Sequence, residues 1–175
     1  MTISVLDAYW ADEDQWIVAI LDGASIVELR QKMFEEHDLK HDCLFSGELE
    51  PDMAEVAPYL VRLEAGTRFT EWVISGWGGN WGIFAVVPSE LNFSAVRRQL
   101  RKLNTIYGPD SQPLRFRWYD PRILRVALPI FDSKQLKELF GPVSRFITEG
   151  ETPDHGLIFS LAKGELVQER FVVKD

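Results

Sequence analysis

The chain has 175 residues, of which 46% are hydrophobic and 26% charged, and its formal net charge at pH 7 is −8. Length and composition predict one globular domain with a core of its own. No apolar run in the sequence approaches the roughly 20 residues that span a bilayer. The single cysteine, Cys43, excludes an internal disulfide and fits a reducing cytoplasm.

Apolar periodicity and turn residues predict elements that follow one another closely along the chain. The predicted strands are 16–21, 43–45, 59–63, 82–87, 114–119 and two strands around Lys163-Gly164. The predicted helices are 25–36, 51–57, 67–76, 89–104, a turn from 121, and 133–140. We therefore expect an α/β (α+β) fold, in which helices flank a mixed sheet and a hairpin ends the chain.

Three helix starts carry N-cap residues. Ser25, with Glu28 three residues later, predicts a capping box, and Ser89 is the candidate cap of the fourth helix. Asp120 followed by Pro121 is typical of an N-cap and the first helical position. The stretch before that corner is expected to turn directly from strand into helix.

The stretch 114–119 alternates arginine with aromatic residues. As a strand, it would place Phe116 and Trp118 on one face and Arg115, Arg117 and Tyr119 on the other. Arginines on a covered face need acidic partners, because a buried unpaired charge is costly.

An acidic partner for Arg117 can be proposed from the same pattern. Asp22 ends the predicted strand 16–21, and we expect it to pair with Arg117. Tyr119 and Leu124 have the spacing of a hydrophobic staple around the Asp120 cap.

Charge is unevenly distributed along the chain. Residues 1–60 carry 14 acidic and 3 basic residues, whereas 97–125 carry 2 acidic and 8 basic ones. We expect the basic segment to meet acids within the fold or on a partner. The overall acidity disfavours nucleic-acid binding, which depends on attraction to phosphates. The acidic N-terminus lacks the basic region of a secretory signal, so none is expected.

The sequence offers only weak candidates for catalytic, metal-binding or phosphate-binding sites. His37, His41 and Cys43 have metal-ligand side chains but no second ligand pair, and a polar loop is the favoured interpretation. The Gly-rich run 76–82 lacks the lysine and Ser/Thr of a phosphate loop. Neither a nucleophile elbow nor a paired-carboxylate motif is present. We expect no enzyme activity, metal or cofactor.

Two candidate partner surfaces remain. Trp77 and Trp81, within the Gly-rich run, either cover the core or form an exposed anchor. The cations on helix 89–104 form either a solvated face or a binding face for an acidic partner. These cations are Arg97, Arg98, Arg101 and Lys102.

Several motifs resemble one family. FRWYDPRIL (116–124) resembles the fRfyDPRvl signature of the type VI secretion adaptors, the effector chaperones of Gram-negative bacteria. AILDGA (19–24), LFSGELEPDMAEVAPYLVRL (44–63), WGIFAVV (81–87) and QLKELFGPV (135–143) are similar to further family segments, in order. Residues carried over from the motifs are Asp22, Gly23, Ala24, Gly47, Pro58, Tyr59, Leu60, Gly82, Arg117, Tyr119, Asp120, Pro121 and Arg122.

The resemblance implies a non-enzymatic cytoplasmic adaptor that binds a cognate toxic effector and helps load it onto the C-terminal region of a spike protein. It implies no metal or nucleotide, and we expect neither nucleic-acid binding nor membrane insertion. The adaptor domain would be 1–143, with matches over 16–143, and 144–175 would be a hairpin extension packed on it. Many members continue with a large helical lobe, which this chain lacks, so its own surfaces would include the tail hairpin edge and helix 89–104.

Other functions stay open at this point. A small hydrolase would need His37, His41 and Asp22 to converge in a pocket. A nucleic-acid module would use the cations of helix 89–104, and a toxin-neutralising binding protein would suit the size and acidity of the chain.

Overall fold

The computed structural model describes residues 4–174. The helices are α1 Ser4–Trp10, α2 Leu29–Glu35, α3 Pro51–Glu55, α4 Arg68–Ser75, α5 Phe93–Lys102, α6 Pro121–Ala127 and α7 Ser133–Phe140. The strands are β1 Gln15–Asp22, β2 His41–Cys43, β3 Pro58–Leu63, β4 Gly82–Pro88, β5 Thr105–Tyr107, β6 Pro113–Arg115, β7 Arg145–Glu149, β8 His155–Ala162 and β9 Glu165–Val172.

One seven-stranded sheet organises the molecule, in the order β2-β3-β1-β4-β7-β8-β9. Every pairing in it is antiparallel, including β1 with both β3 and β4. The predicted α+β class is confirmed. The expectation of a sheet that mixes parallel and antiparallel strands is wrong. Strands β5 and β6 form a separate two-stranded hairpin.

Helices cover both faces of the sheet, which explains why β1 is apolar at nearly every position. Ile17, Ala19 and Leu21 belong to the core cluster with residues of α1, α2 and α4. The alternate residues of β1 belong to a second cluster, with residues of α5, α6 and α7. Among the described residues, no helix is long and apolar enough to cross a membrane.

Two predicted helix starts are wrong. Ser25 does not cap a helix, because its Oγ donates to Asp22 Oδ2 at 2.9 Å, and α2 begins only at Leu29. Asn92, not Ser89, caps α5, with its side chain accepting from the backbone N–H of Ala95 at 2.8 Å. At α2 no side chain caps the helix, whereas at α5 the cap role falls to the asparagine three residues after the predicted serine.

The stretch 114–119 forms a strand only to Arg115. Trp118 and Tyr119 lie in a turn, and both are buried, so the predicted alternation of faces is wrong beyond β6. The Asp120 cap of α6 is confirmed by its bond from the Arg122 backbone N–H. The tail hairpin β8–β9 is also confirmed, and β7, which sequence patterns missed, joins it to β4.

Candidate functional site

The motif residues converge at one end of the central strands. Asp22 ends β1 and lies opposite Pro58, the first residue of β3. Leu21 lies opposite Gly82, the first residue of β4. The turn into α6 approaches the same end, because Arg117 reaches Asp22. We call this set the signature corner: Asp22, Gly23, Pro58, Tyr59, Gly82, Arg117, Tyr119, Asp120, Pro121 and Arg122.

Asp22 is the buried centre of the signature corner, with no exposed surface. Its Oδ1 accepts from the Ala24 N–H at 3.1 Å, and its Oδ2 accepts from Ser25 Oγ and from Arg117 Nη2. The predicted pairing of Asp22 with Arg117 is therefore confirmed. Burial disfavours the charged form of Arg117, but the neighbouring carboxylate outweighs it and raises the pKa of the guanidinium.

Asp120 is the second buried carboxylate, at 2% exposure. It accepts from Arg122 three times: from the backbone N–H at 3.0 Å, from Nε at 3.0 Å and from Nη2 at 2.8 Å. Burial alone would raise the pKa of Asp120, but these bonds and the arginine charge lower it. The Asp-Pro-Arg sequence thus closes a local clamp at the start of α6.

Close backbone approach explains the glycine at 23. A Cβ on Gly23 would lie 2.5 Å from the Glu55 carbonyl oxygen and 2.6 Å from that of Ala57. Gly23 also donates its N–H to Ala57 at 3.0 Å. Any side chain here would push the β1 end away from the segment that enters β3.

Tyr59 and Tyr119 fill the corner with aromatic rings. Tyr59 donates its hydroxyl to the Ala54 carbonyl at 2.9 Å and so fixes α3 to β3. Burial raises the pKa of Tyr119, which is 2% exposed and stays a neutral phenol. The corner therefore presents few free groups: of the residues carried over from the motifs, Ala24, Gly47 and Arg122 are exposed.

Trp77 does not form the exposed partner anchor that the sequence left open. Its side chain is 7% exposed and donates Nε1 to the Pro153 carbonyl at 2.8 Å. Trp81 is half-buried and packs against Trp72, with ring centroids 4.9 Å apart. Both residues cover the core, so Trp77 is removed from the partner surface and Trp81 offers only part of its ring.

The cations of α5 divide into two pairs. Arg97 lies 2.9 Å from the Asp42 carboxylate, and Arg101 donates to the carbonyls of Cys43 and Phe45, each at 3.0 Å. These two hold α5 against the edge of the sheet near β2. The other two, Arg98 and Lys102, are exposed and remain candidates for a partner surface.

The residues of the hydrolase hypothesis do not converge. His41 is level with Ala19 across β3, whereas Asp22 lies three residues further along β1. Strand spacing and rise put their Cα atoms about 14 Å apart. His37 is exposed, outside β2. Within residues 4–174 no group of three or more His, Cys, Asp or Glu side chains could hold a metal ion.

Cys43 also lacks the environment of a nucleophile. Burial raises the pKa of its thiol, which lowers the fraction of the reactive thiolate. The nearby Arg101 and Arg97 act to lower the pKa of the Cys43 thiol, but burial outweighs them. Burial also disfavours the charged form of His41 and therefore lowers its pKa.

An apolar groove lies beside the β5–β6 hairpin, and the sequence patterns missed it. It has a volume of about 480 Å³. Its apolar wall consists of Leu103, Ile106, Tyr107, Phe116, Phe131 and Leu139, and Lys102 and Lys137 also line it. Tyr107 is 71% exposed and Ile106 is 43% exposed. The one available signal was the short alternation Thr105-Ile106-Tyr107, which directly follows the predicted helix 89–104.

The chain belongs to the DUF4123 family, which is described as a domain of unknown function. It matches that family over residues 18–138. The match contains the Asp22 turn, the central strands and the complete Asp120-Pro121-Arg122 cap. No curated protein and no solved structure matches the chain.

Proposed function

We propose that this protein is a non-enzymatic adaptor of type VI secretion, which binds a cognate toxic effector and helps load it onto the spike protein. The proposal combines membership of the DUF4123 family with the resemblance of residues 116–124 to the adaptor signature. It places the protein in the cytoplasm of a Gram-negative bacterium. Its partners are an effector and the C-terminal region of a spike protein.

The apolar groove is the observation that carries the proposal. Its wall comes from α5, the β5–β6 hairpin, the turn before α6 and the α7 region, so it is a composite surface rather than a loose loop. Phe116 and Phe131 pack at 5.9 Å between ring centroids and give the groove a firm base. Exposed apolar surface of this kind is typical of protein-interaction sites.

The charged residues at the rim of the apolar groove indicate which kind of partner segment would fit it. Lys102 and Lys137 line the groove together with one acid, Glu138. A partner segment with apolar anchors and flanking acids would bury its anchors and meet the lysines at the rim. A stable complex would bury on the order of 1,200–2,000 Å² in total, so the groove would form the centre of a larger contact.

The test is affinity purification of the tagged protein from its native bacterium, with crosslinking mass spectrometry, while the secretion genes are expressed. We expect to recover a secreted toxin or a spike protein, crosslinked to Lys102 or Lys137 at the groove. Lys32, on α2 at the opposite face of the sheet, is the internal control and should crosslink less.

Two outcomes would contradict the adaptor. A protein that purifies without a partner under these conditions would reject it. Recovery of a toxin whose isolated activity is blocked by the protein, with no spike in the complex, would instead identify a toxin-neutralising protein.

A further inference from the structure

A second groove lies between α6 and the β8–β9 hairpin. Arg122 and Arg125, three residues apart on α6, form one side, and Arg170 of β9 forms the other. Arg170 lies opposite Leu157 of β8, whose side chain also lines the groove. The volume is about 390 Å³, and an adjoining cavity of about 150 Å³ shares Arg122 and Arg125. We call this site the arginine groove.

Buried acceptors hold two of these arginines in place. Arg122 donates Nε and Nη2 to the Asp120 carboxylate, and Arg125 donates Nη1 to the Glu149 carbonyl at 2.8 Å. Arg122 Nη1 and Arg125 Nη2 have no hydrogen-bond partner within residues 4–174. Each guanidinium is therefore oriented by one edge while donors on the other edge stay available, which reduces the entropy lost on binding.

The accessible surface of the groove is cationic although the chain is acidic. The acids beneath it, Asp120 and Glu149, are 2% and 5% exposed. Glu149 lines the adjoining cavity, and both its carboxylate oxygens accept from the Asn80 N–H at 3.1 Å. Glu151 is the exposed acid among the lining residues, against three arginines. An incoming carboxylate would find bidentate guanidinium partners.

The shape favours a chain segment over a small anion. Leu157 and Val126, the latter 70% exposed, add apolar walls next to the arginines. The groove follows β9, the last strand of the sheet order, whose outer edge pairs with no strand among the described residues. An extended peptide could lie along this edge and direct alternate carboxylates at the arginines.

We infer that the arginine groove binds an extended, acidic segment of a partner protein. The proposed function supplies the partner, whereas the site itself depends only on the groove. Nucleic acid is the less favoured ligand, because the net charge of −8 repels a phosphate backbone outside the groove.

The experiment measures fluorescence anisotropy of labelled peptides rich in glutamate and aspartate against the whole protein, with glutamine and asparagine versions as matched neutral probes. We expect the acidic peptides alone to bind, more weakly at higher salt. Arg170→Glu should weaken binding at least about tenfold, because it reverses one of the charges that contact the peptide. Arg68→Glu makes the same change at the start of α4, on the opposite face of the sheet, and should leave binding unaltered.

Several results would overturn the inference. These are equal binding of the neutral peptides, no binding of any acidic peptide, or equal losses in the two variants. Full displacement by inorganic phosphate at low concentration would assign the site to a small anion, and tighter binding of a labelled oligonucleotide would assign it to nucleic acid. If acidic peptides bind but no effector or spike is recovered from the bacterium, the proposed function fails while the groove stands.

Discussion

The signature corner and the apolar groove use their side chains in opposite ways. In the corner, Asp22 and Asp120 are buried and their oxygens are occupied by arginines and backbone N–H groups. At the groove, Tyr107 and Ile106 are exposed apolar residues. The most recognisable motif therefore builds the frame, and the most exposed apolar residues of the groove, Ile106 and Tyr107, lie beside it and outside the motif segments.

This contrast gives a simple expectation for mutations. Changes in the signature corner should lower the free energy of unfolding and affect binding only through folding, except at Arg122, which also lines the arginine groove. Changes at the groove should leave stability intact and affect binding directly. The predictions below test that separation, from the largest expected effect on stability to the smallest.

Trp118 lies between Arg117 and Tyr119 of the signature corner. Its replacement should have the largest effect on the free energy of unfolding. It is fully buried, donates Nε1 to Asn104 Oδ1 at 2.9 Å, and packs edge-on against Phe146. Trp118→Ala should cost about 3–5 kcal/mol of unfolding free energy, measured by urea denaturation. Tyr107→Ala is the exposed aromatic control, and a similar loss there would remove the contrast between the two regions.

Asp22→Ala should cost about 2–3 kcal/mol, because it leaves Ser25, the Ala24 N–H and Arg117 without their acceptor. Arg117 is partly exposed, with 39% of its side-chain surface accessible, which keeps the loss below that of a fully buried pair. The measurement is a double-mutant cycle with Arg117→Met. We expect the double variant to cost about 1 kcal/mol less than the sum of the single variants. Strict additivity would show that the two side chains are not coupled.

The Asp120–Arg122 clamp should make stability sensitive to acid. The folded pKa of Asp120 is lowered, so its contribution is present above the unfolded pKa and is lost as pH falls through the folded pKa. Arg122→Met removes the two side-chain bonds that lower this pKa, so the part of the stability that is lost on acidification should be smaller in the variant.

The effect of Arg122→Met on stability should be small, because the Arg122 side chain is 57% exposed. At neutral pH we expect Arg122→Met to cost about 0.5–1 kcal/mol. Urea denaturation across the acid range measures it, with Arg98→Met as the control on an exposed cation. Parallel pH profiles for the wild type and Arg122→Met would contradict the clamp.

The frame was predictable where one local pattern decided the structure. Strand β1 followed from a continuous apolar run, α6 from Asp120-Pro121, and the Asp22–Arg117 pair from the need to neutralise a covered arginine. The start of α2 was not predictable, because Asp22 engages the Ser25 hydroxyl and holds that residue in the turn. Strand β7 was missed because it has only five residues.

The alternation of the arginine stretch failed for a tertiary reason. Trp118 and Tyr119 both face the core because the chain turns there to place Asp120 at the start of α6. The two grooves were missed for a related reason: each is assembled from separate elements. Phe116 meets Phe131, and Arg122 faces Arg170, only after the sheet has formed.

The smallest effect on stability, and the most informative one, is expected at Tyr107. Tyr107→Ala should change the free energy of unfolding by less than about 0.5 kcal/mol, because the ring is mostly exposed. Capture of the effector or spike should nevertheless fall at least about tenfold, as for an aromatic anchor at the centre of an interface. Phe34→Ala removes an aromatic ring that is 69% exposed on α2, and it should leave capture unchanged. If the two variants lose capture equally, or neither does, the partner binds elsewhere and the apolar groove is not its site.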